Sequence, residues 1–338
     1  MSGSLRLFGW ALLAVLSVLT LAGAGGWWVY REMTVPGPLT KAQVVVIRPN
    51  TGLESIANLL AREGVLRYRL PFEIGTVLSG DVSALLAGEY EFPARTSPIQ
   101  AIGIIASGKS VRHKLTIPEG LTTAEVLALV RAAPALAGGV GPPPPEGRLM
   151  PDTYFYRYGE ARAQILERME REMTHTLAAV WDKRRHDLPL ANPEQLLTLA
   201  SIVEKETARA DERARIAAVF VNRLRSGMPL EADPTVIFAL SDDGAKEFDR
   251  PLSHNDLLTP SPYNTYLERG LPPGPIDNPG LASLRAAARP TQTDDLYFVA
   301  DGSGGHAFAK TLAEHNRNVA QYRKSAVVEP DPPEAAPR

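Results

Sequence analysis

The sequence predicts an α+β protein with one membrane-spanning helix at its N-terminus, then a small α+β domain, and then a larger, mainly helical α+β domain. The first observation behind this prediction is an uncharged apolar run from Phe8 to Tyr30. The second is a region up to residue 112 in which short strand-like stretches alternate with capped helical patterns. The third is the helical periodicity that dominates the chain after residue 160.

Composition excludes several kinds of protein. The chain has 338 residues, of which 44% are hydrophobic and 22% charged, as is usual for a globular protein. Its net charge of −2 gives no support for nucleic-acid binding, which normally shows as a basic excess. Cysteine is absent, so disulfides, thiolate catalysis and zinc–thiolate sites are excluded.

The apolar run has the length and the flanks of a membrane anchor. A helix needs about 20 apolar residues to cross the hydrocarbon core. A cleaved signal peptide is the alternative, because Ala22-Gly23-Ala24 resembles a cleavage site. The run continues past that point with aromatic residues, which favours an uncleaved anchor. Aromatic residues of the kind found at membrane interfaces lie at Trp10, Trp27, Trp28 and Tyr30. We therefore assign residues 1–7 to a cytoplasmic N-terminus and residues 8–30 to a transmembrane helix, with the remainder outside the cytoplasm.

A Pro/Gly-bearing linker, residues 31–40, leads to a small α+β domain at residues 41–112. Strands are predicted at Ala42–Pro49 and at Gly88–Phe92, and a helix is predicted to end at Gly80. Two further helices begin with the spacing of a capping box, at Thr51/Glu54 and at Ser97/Gln100.

Residues 113–149 are predicted to connect the two domains. A strand followed by a capped helix recurs here, with Thr122 and Glu125 in capping-box spacing. The stretch Gly138–Pro145, "GGVGPPPP", cannot continue a helix and is the strongest domain boundary in the sequence.

The second domain is predicted at residues 150–326. Its long Pro/Gly/Asn loop, residues 259–280, is of a kind that is more often functional than idle. Residues 327–338 are predicted to be a disordered tail. The predicted helices are Ala161–Trp181, Pro193–Ala208, Asp211–Arg225 and Leu281–Ala288, and a strand is predicted at Asp295–Asp301.

Two glutamates in "SIVEKET" lie inside one of these helical patterns. At about 100° per residue, Glu206 falls within about 60° of the apolar stripe that contains Leu199, whereas Glu204 lies roughly 140° away, toward a flank or solvent. A carboxyl group on an apolar face must either be paired or be protonated for part of the time. A protonated carboxyl group suits a general acid. The alternative for Glu206 is a structural ion pair with Arg209, Arg213 or Arg215.

No pattern indicates a metal or a cofactor. The six histidines show no metal-ligand spacing, and "GSGGHAF" lacks the glycine spacing and acidic partner of a dinucleotide site. Neither a G-x-S-x-G nor an S-x-x-K serine motif occurs. We therefore predict no metal and no cofactor.

Polar and aromatic residues elsewhere could line a cleft beside Glu206. Tyrosines near an asparagine suit carbohydrate, because aromatic faces stack on sugar rings and amides bind hydroxyl and acetamido groups. Asp233 could instead form an Asx-turn before Pro234, and the tyrosines could anchor the loop. The candidate binding residues are Ser201, Asp233, Thr235, Tyr263, Asn264, Tyr266 and His306.

Four long motifs, in order, resemble the YceG-like family of endolytic murein transglycosylases. They are "GRLMPDTYFY", "LASIVEKETARADERARIAAVFVNRLRSGMPLEADPTVIFAL", "TPSPYNTYLERGLPPGPIDNPG" and "LYFVADGSGGHAF". The resemblance implies a single-pass inner-membrane protein with a LysM-like domain at residues 41–112 and an extracytoplasmic catalytic domain at residues 150–326. It also implies cleavage inside nascent peptidoglycan glycan strands, between N-acetylmuramic acid and N-acetylglucosamine, with Glu206 as the catalytic residue.

The implied chemistry needs only one carboxyl group. Glu206 would protonate the glycosidic oxygen and then accept the proton of the muramic C6 hydroxyl, which attacks C1 to leave a 1,6-anhydro end. Asn264 or Tyr266 would position the acetamido group of the substrate. The implied partners are glycan strands, the inner membrane and cell-wall synthases. The alternatives are a non-catalytic peptidoglycan-binding scaffold and a hydrolytic muramidase that uses Asp233 as its second carboxylate.

Overall fold

The structure is a computed structural model that describes residues 2–326, with side chains from residue 8 to residue 324. The predicted tail at residues 327–338 lies outside the described residues. The described chain forms eleven α-helices and six strands, and the strands pair into three two-stranded sheets. It divides into two compact units. Among the described residues, the first comprises residues 2–113, Ala135–Ala137 and Phe155–Glu160, and the second comprises Lys114–Pro134, Gly138–Tyr154 and residues 161–326.

The first unit contains a two-stranded antiparallel sheet with helices packed on it. Val45 pairs with Tyr90 in the sheet, and the inward residues of both strands are buried in one apolar core. Both strands and the helix end at Gly80 confirm the sequence predictions, and Gly80 is left-handed at φ 77°. The elements are α1 (Ser2–Thr34), β1 (Gln43–Ile47), α2 (Leu53–Arg62), α3 (Arg69–Ser79), a 3₁₀ turn (Asp81–Ala84), β2 (Gly88–Phe92) and α4 (Pro98–Ala106).

Helix α1 is long and apolar enough to cross a membrane. The segment Phe8–Thr34 has a mean hydropathy of 1.9 and is not buried by the rest of the protein. The helix continues to Thr34, beyond the predicted end at Tyr30, so the first four residues assigned to the linker are helical. Nothing breaks the helix until Pro36, which disfavours the helical conformation of Val35 before it.

Two of the three predicted capping boxes are confirmed. Ser97 and Gln100 bond reciprocally at the start of α4, and Thr122 and Glu125 do so at the start of α5 (Thr123–Ala132). The box predicted at Thr51 is wrong, because α2 is capped by Gly52 and the Thr51 hydroxyl donates instead to the Arg48 carbonyl at 2.8 Å.

The second unit packs its helices around α7. Its apolar core is formed largely by α6, α7, α8 and α10. The loop at residues 259–280 contains no helix or strand, as predicted. Strand β4, helix α9, strand β6 and helix α11 were not predicted. The elements are α5 (Thr123–Ala132), α6 (Arg162–Asp182), α7 (Pro193–Glu206), α8 (Arg213–Arg225), α9 (Asp233–Leu240), a 3₁₀ turn (Asp256–Leu258), α10 (Leu281–Ala288), β5 (Tyr297–Ala300), β6 (His306–Ala309) and α11 (Leu312–Ala326).

Two further strand pairs complete the sheets. Strand β3 (Arg112–Thr116) pairs with β4 (Thr153–Arg157). Strands β5 and β6 pair antiparallel, with Phe298 opposite Phe308, and the glycine-rich turn "GSGG" joins them. This turn is therefore the connection of a hairpin.

Candidate active site

Helix α7 carries Glu206 as its last residue. The helix starts at an Asn192 cap, whose side chain accepts a hydrogen bond from the Gln195 amide at 3.0 Å. Every residue from Leu196 to Val203 is buried, so neighbouring elements enclose α7 on all sides. The helix ends because Thr207 is extended, at φ −152° and ψ 134°. A rigid core helix therefore delivers the Glu206 carboxyl group at its C-terminal end.

Glu204 is not the solvated flank residue that the helical wheel predicts. Its side chain is only 6% exposed and pairs with Arg213 at 3.3 Å. The other carboxyl oxygen accepts a hydrogen bond from the Gly280 amide at 2.9 Å. Because loop residues cover this side of α7 as well, the wheel's distinction between an apolar face and a solvent face fails here. Glu204 is a structural residue that ties α7 to the segment before α10.

Glu206 lines a cleft with a volume of about 260 Å³. Between residues 8 and 324, the structure shows neither a hydrogen bond nor an ion pair to its carboxyl group, so the predicted alternative of an arginine ion pair is wrong. Each of the three candidate arginines pairs elsewhere: Arg209 with Asp211, Arg213 with Glu204 and Arg215 with Asp295.

The surroundings of Glu206 favour its protonated form. Burial and, next, the negative charge of Asp233 raise the pKa of Glu206 to about 8, against the opposing positive charge of Arg223. The carboxyl group is consequently protonated at neutral pH and can donate a proton.

Arg223 is a cleft residue that the sequence interpretation missed. Its side chain is 9% exposed and pairs with Glu231 at 2.9 Å. Its guanidinium also donates to the carbonyls of Leu296 at 2.7 Å and Leu230 at 2.8 Å. A signal was present in the sequence, because Ile216, Phe220 and Arg223 are spaced for one helical face, so an arginine falls on an apolar stripe.

Asp233 and Tyr266 reach the same cleft as a hydrogen-bonded pair. The Tyr266 hydroxyl donates to the Asp233 carboxylate at 2.5 Å. Burial and this hydrogen bond raise the pKa of Tyr266, so its proton stays in place. Asp233 is the first residue of α9, and the structure therefore places it in a helix, whereas the sequence left an Asx-turn open.

Three of the predicted binding residues are internal structural groups. Asn264 is 1% exposed, and its amide donates to the carbonyls of Leu257 and Thr259 at 3.0 and 2.8 Å. Thr235 is 0% exposed and lies 2.9 Å from the hydroxyl of Thr265. The Ser201 hydroxyl accepts from the Ile276 amide at 3.1 Å. These side chains hold the long loop and α9 in place, and none of them lines the cleft.

The two remaining candidates lie outside the cleft lining. Tyr263 packs its ring on Phe238, with 4.9 Å between centroids. The imidazole of His306 pairs with Glu212 at 2.7 Å and packs edge-on against Phe298, which lines the cleft. The structure therefore joins Glu206, Asp233 and Tyr266, and it does not join the other five candidates to them.

Two more cleft residues, Glu231 and His315, had no sequence signal. Glu231 has a left-handed backbone at φ 53°, a strained conformation for a residue other than glycine. His315 on α11 stacks on Tyr297, and its buried Nδ1 has no hydrogen-bond partner. Burial and the nearby Arg223 lower the pKa of His315, so its ring is neutral at neutral pH. In the part of the chain that is described, no group of three or more acidic or histidine side chains could hold a metal ion.

The fold and the cleft define an α+β protein whose central helix presents one protonated carboxyl group, as a general acid–base catalyst requires. The sequence profile described as the YceG-like family matches residues 45–321, and the chain belongs to this family. It is similar to a crystal structure of a YceG-like protein from Listeria monocytogenes, with 30% identity and a TM-score of 0.52. That similarity covers 82% of this chain and 98% of the other.

Two curated relatives carry the name endolytic murein transglycosylase. The protein from Bacillus subtilis is 40% identical over 182 residues, which are 54% of this chain and 49% of that protein. The protein from Streptococcus pneumoniae is 28% identical over 362 aligned residues, covering 93% of this chain and 65% of that protein. The chain thus spans about half to two thirds of the length of these relatives.

Proposed function

We propose that this protein is an endolytic peptidoglycan lytic transglycosylase that cleaves the bond between N-acetylmuramic acid and N-acetylglucosamine in nascent glycan strands. The observation that carries the proposal is the carboxyl group of Glu206, which stands unpaired in a cleft with a pKa raised to about 8. The names of the two curated relatives support the same substrate and reaction class.

Glu206 serves first as an acid and then as a base. Its proton passes to the glycosidic oxygen while the bond between that oxygen and C1 of the muramic residue breaks. The resulting carboxylate then accepts the proton of the muramic C6 hydroxyl as its oxygen bonds to C1. Glu206 is protonated again at the end, no water is consumed, and the new strand end is a 1,6-anhydro sugar.

Positive charge develops at C1 while the bond breaks, and Asp233 is the acidic group placed to stabilise it. Its carboxylate is held by the Tyr266 hydroxyl at 2.5 Å, which fixes its position in the cleft. We assign the positioning of the substrate acetamido group to Tyr266 and not to Asn264, because Tyr266 lines the cleft and its oxygen can accept from the acetamido N–H, whereas Asn264 is buried and uses both its amide hydrogens and its oxygen within the loop.

A hydrolytic muramidase is the second candidate, because Asp233 and Glu206 line one cleft. An inverting or retaining hydrolase needs such a second carboxylate, either to activate water or to attack C1. A scaffold that only binds peptidoglycan is the third reading, and the raised pKa of Glu206 is an argument against it.

One digestion separates the three candidates. The full chain in detergent is incubated with purified glycan strands, and the products are weighed by mass spectrometry. Internal cleavage with 1,6-anhydro ends supports the transglycosylase, reducing ends would indicate the muramidase, and intact strands would indicate the scaffold. Glu206→Gln should abolish cleavage. Glu167→Gln is the matched control, because Glu167 is 63% exposed and pairs only with Arg171 on the surface of α6.

The proposed location follows from α1. We infer that α1 crosses the inner membrane once, with residues 1–7 in the cytoplasm and the cleft outside it, and that residues 41–112 are a LysM-like domain that binds glycan. Cleavage next to the membrane would release or terminate growing strands, with cell-wall synthases as partners. Protease accessibility of the second unit in intact spheroplasts tests the topology. Protection of the second unit would contradict it.

A further inference from the structure

A larger cavity is lined in part by α7 and α9, the two helices that also carry Glu206 and Asp233 of the catalytic cleft. Its volume is about 620 Å³, against about 260 Å³ for the cleft that contains Glu206. Small-molecule pockets usually measure about 300–1,000 Å³, so the cleft is too small for more than part of a polymeric substrate. The larger cavity falls within that range and has no role in the acid–base chemistry.

The two cavities share a wall. Glu206 lines the cleft and Lys205, the residue before it on α7, lines the larger cavity. In the same way, Asp233 lines the cleft and Pro234 lines the larger cavity. Adjacent residues of α7 and of α9 therefore line the two cavities, and a peptide, which spans up to about 3.3–3.6 Å per residue when extended, is long enough to reach from a sugar at Glu206 to the larger cavity.

The lining of the larger cavity is partly apolar and partly charged, with both signs of charge. Phe238 and Phe248 supply aromatic surface, Lys205 and Lys246 supply amines, and Glu125 and Glu247 supply carboxylates. The Lys205 amine makes one hydrogen bond, to the Gly120 carbonyl at 3.2 Å. Lys246 pairs with Asp242 at 3.1 Å, but its side chain is 72% exposed, and such surface pairs contribute little. Both amines can therefore turn toward a ligand.

One wall of the cavity is held in an unusual conformation. Asp242, Asp243 and Gly244 are all left-handed, with φ values of 58°, 52° and 78°. The turn is fixed by the Thr122 hydroxyl, which donates to the Gly244 carbonyl at 3.1 Å, and by the Ser241 hydroxyl, which accepts from the Gly244 amide at 3.1 Å. Strained turns of this kind recur at ligand clamps, and here the turn brings Lys246 and Phe248 to the cavity.

We propose that this cavity binds the short peptide carried by the muramic residue next to the bond that is broken, an inference that rests on the proposed function. The sugars of the strand are neutral, so a cavity for sugar alone has no use for the two lysines and Glu247, whereas Glu125 also caps α5. The peptide carries carboxylates, an amine and alanine methyl groups. These match the lysines, the glutamates and the aromatic surface respectively.

The test compares two substrates and five proteins, which are the wild type and four variants. Glycan strands that keep their peptides and strands stripped of them by an amidase are digested by the full chain in detergent. Lys246→Ala should reduce kcat/KM by about fivefold more on peptide-bearing strands than on stripped strands, because one ion pair at a partly exposed position is lost. Phe248→Ala should reduce kcat/KM by about tenfold more on peptide-bearing strands than on stripped strands, because an aromatic contact with the peptide is lost. Both losses should appear as an increase in KM on peptide-bearing strands. Lys246→Glu should increase this KM more than Lys246→Ala does.

Lys310→Ala is the matched control, because Lys310 pairs with Asp294 at 3.0 Å and its side chain is 60% exposed, much as in the Lys246 pair. It should leave both substrates unaffected. Equal losses on both substrates would overturn the inference and would indicate a sugar subsite. An unchanged KM in the Lys246 and Phe248 variants would also overturn it, because the cavity would then play no part in substrate binding. If the wild type cleaves neither substrate, the proposed function itself fails. Thermal unfolding of each variant shows whether it is folded.

Discussion

Replacing Glu206 with glutamine should remove the general acid and, at the same time, stabilise the fold. The carboxyl group of Glu206 has an ordinary pKa of 4.5 in the unfolded chain and about 8 in the folded protein. A group whose folded-state pKa is raised binds more protons when folded, so folding is favoured at low pH and loses stability as the pH rises from 4.5 toward 8. Glutamine keeps the shape of the protonated acid and cannot ionise.

The size of this effect follows from the two pKa values. Between pH 4.5 and pH 7, a span of roughly 2.5 pH units, the Glu206 carboxyl group is ionised in the unfolded chain but still protonated in the folded protein. This difference lowers the free energy of unfolding at pH 7 by about 3 kcal/mol. Glu206→Gln should therefore raise the free energy of unfolding by about 3 kcal/mol at pH 7 and by less than about 1 kcal/mol at pH 5. Thermal unfolding of the full chain in detergent, followed by circular dichroism at both pH values, measures the difference.

Glu204→Gln is the matched comparison, two residues away on the same helix. Glu204 pairs with Arg213 and accepts from the Gly280 amide, so its replacement should lower stability by about 1–3 kcal/mol. Opposite signs for the two variants would support the account of the site. A Glu206→Gln variant with no gain, or with the same gain at pH 5 and pH 7, would refute it.

Three further predictions concern the cleft. The rate of anhydro-end formation should fall by about tenfold per pH unit above pH 8, because Glu206 must be protonated to donate; a rate that stays constant up to pH 10 would exclude it as the acid. Tyr266→Phe should reduce kcat and shift the alkaline limb of the pH–rate profile to higher pH, because the hydroxyl no longer offsets the Asp233 charge near Glu206. An unchanged profile would show that the Asp233 charge does not influence the pKa of Glu206. Asn264→Ala should lower the melting temperature, with a loss of about 2 kcal/mol for two buried hydrogen bonds, while kcat per folded molecule changes little; a large loss of kcat in the folded variant would restore a direct role for Asn264.

The helices and strands with strong local signals could be predicted from sequence. The boxes at Ser97 and Thr122 and the left-handed glycine after α3 are local hydrogen-bond and backbone patterns, and the structure contains all three. The prediction of a capping box at Thr51 was wrong because the same spacing allows the Thr51 hydroxyl either to cap the helix or to bond the preceding turn. In the structure it donates to the Arg48 carbonyl. Helix α9 was missed because its eight residues begin with Asp233-Pro234, a pair that can start either a turn or a helix.

The buried position of Glu206 could be predicted from the sequence, but the groups around it could not. The helical wheel places Glu206 correctly on the buried face but leaves its pairing open, and it errs on Glu204, because periodicity shows one buried face and cannot reveal that loops enclose the other. Tyr266 and Asp233 meet only through the folded loop. Asn264 looked suited to bind a ligand, but the side chains best able to bind amides and hydroxyls are also those best able to hold a long loop. The same wheel applied to α8 would have found Arg223.

The direction in which α7 runs through the core also has a consequence for catalysis. Since the helix ends at Glu206, the carbonyls of its last turn have no partners within the helix, and together they carry about half a negative charge. A carboxylate is least stable at such an end and most stable at the opposite end of a helix. Carried on the first turn of a helix instead, the same residue would be biased toward the ionised form and would make a poor acid. The polarity of the backbone therefore helps to keep this proton in place until a substrate takes it.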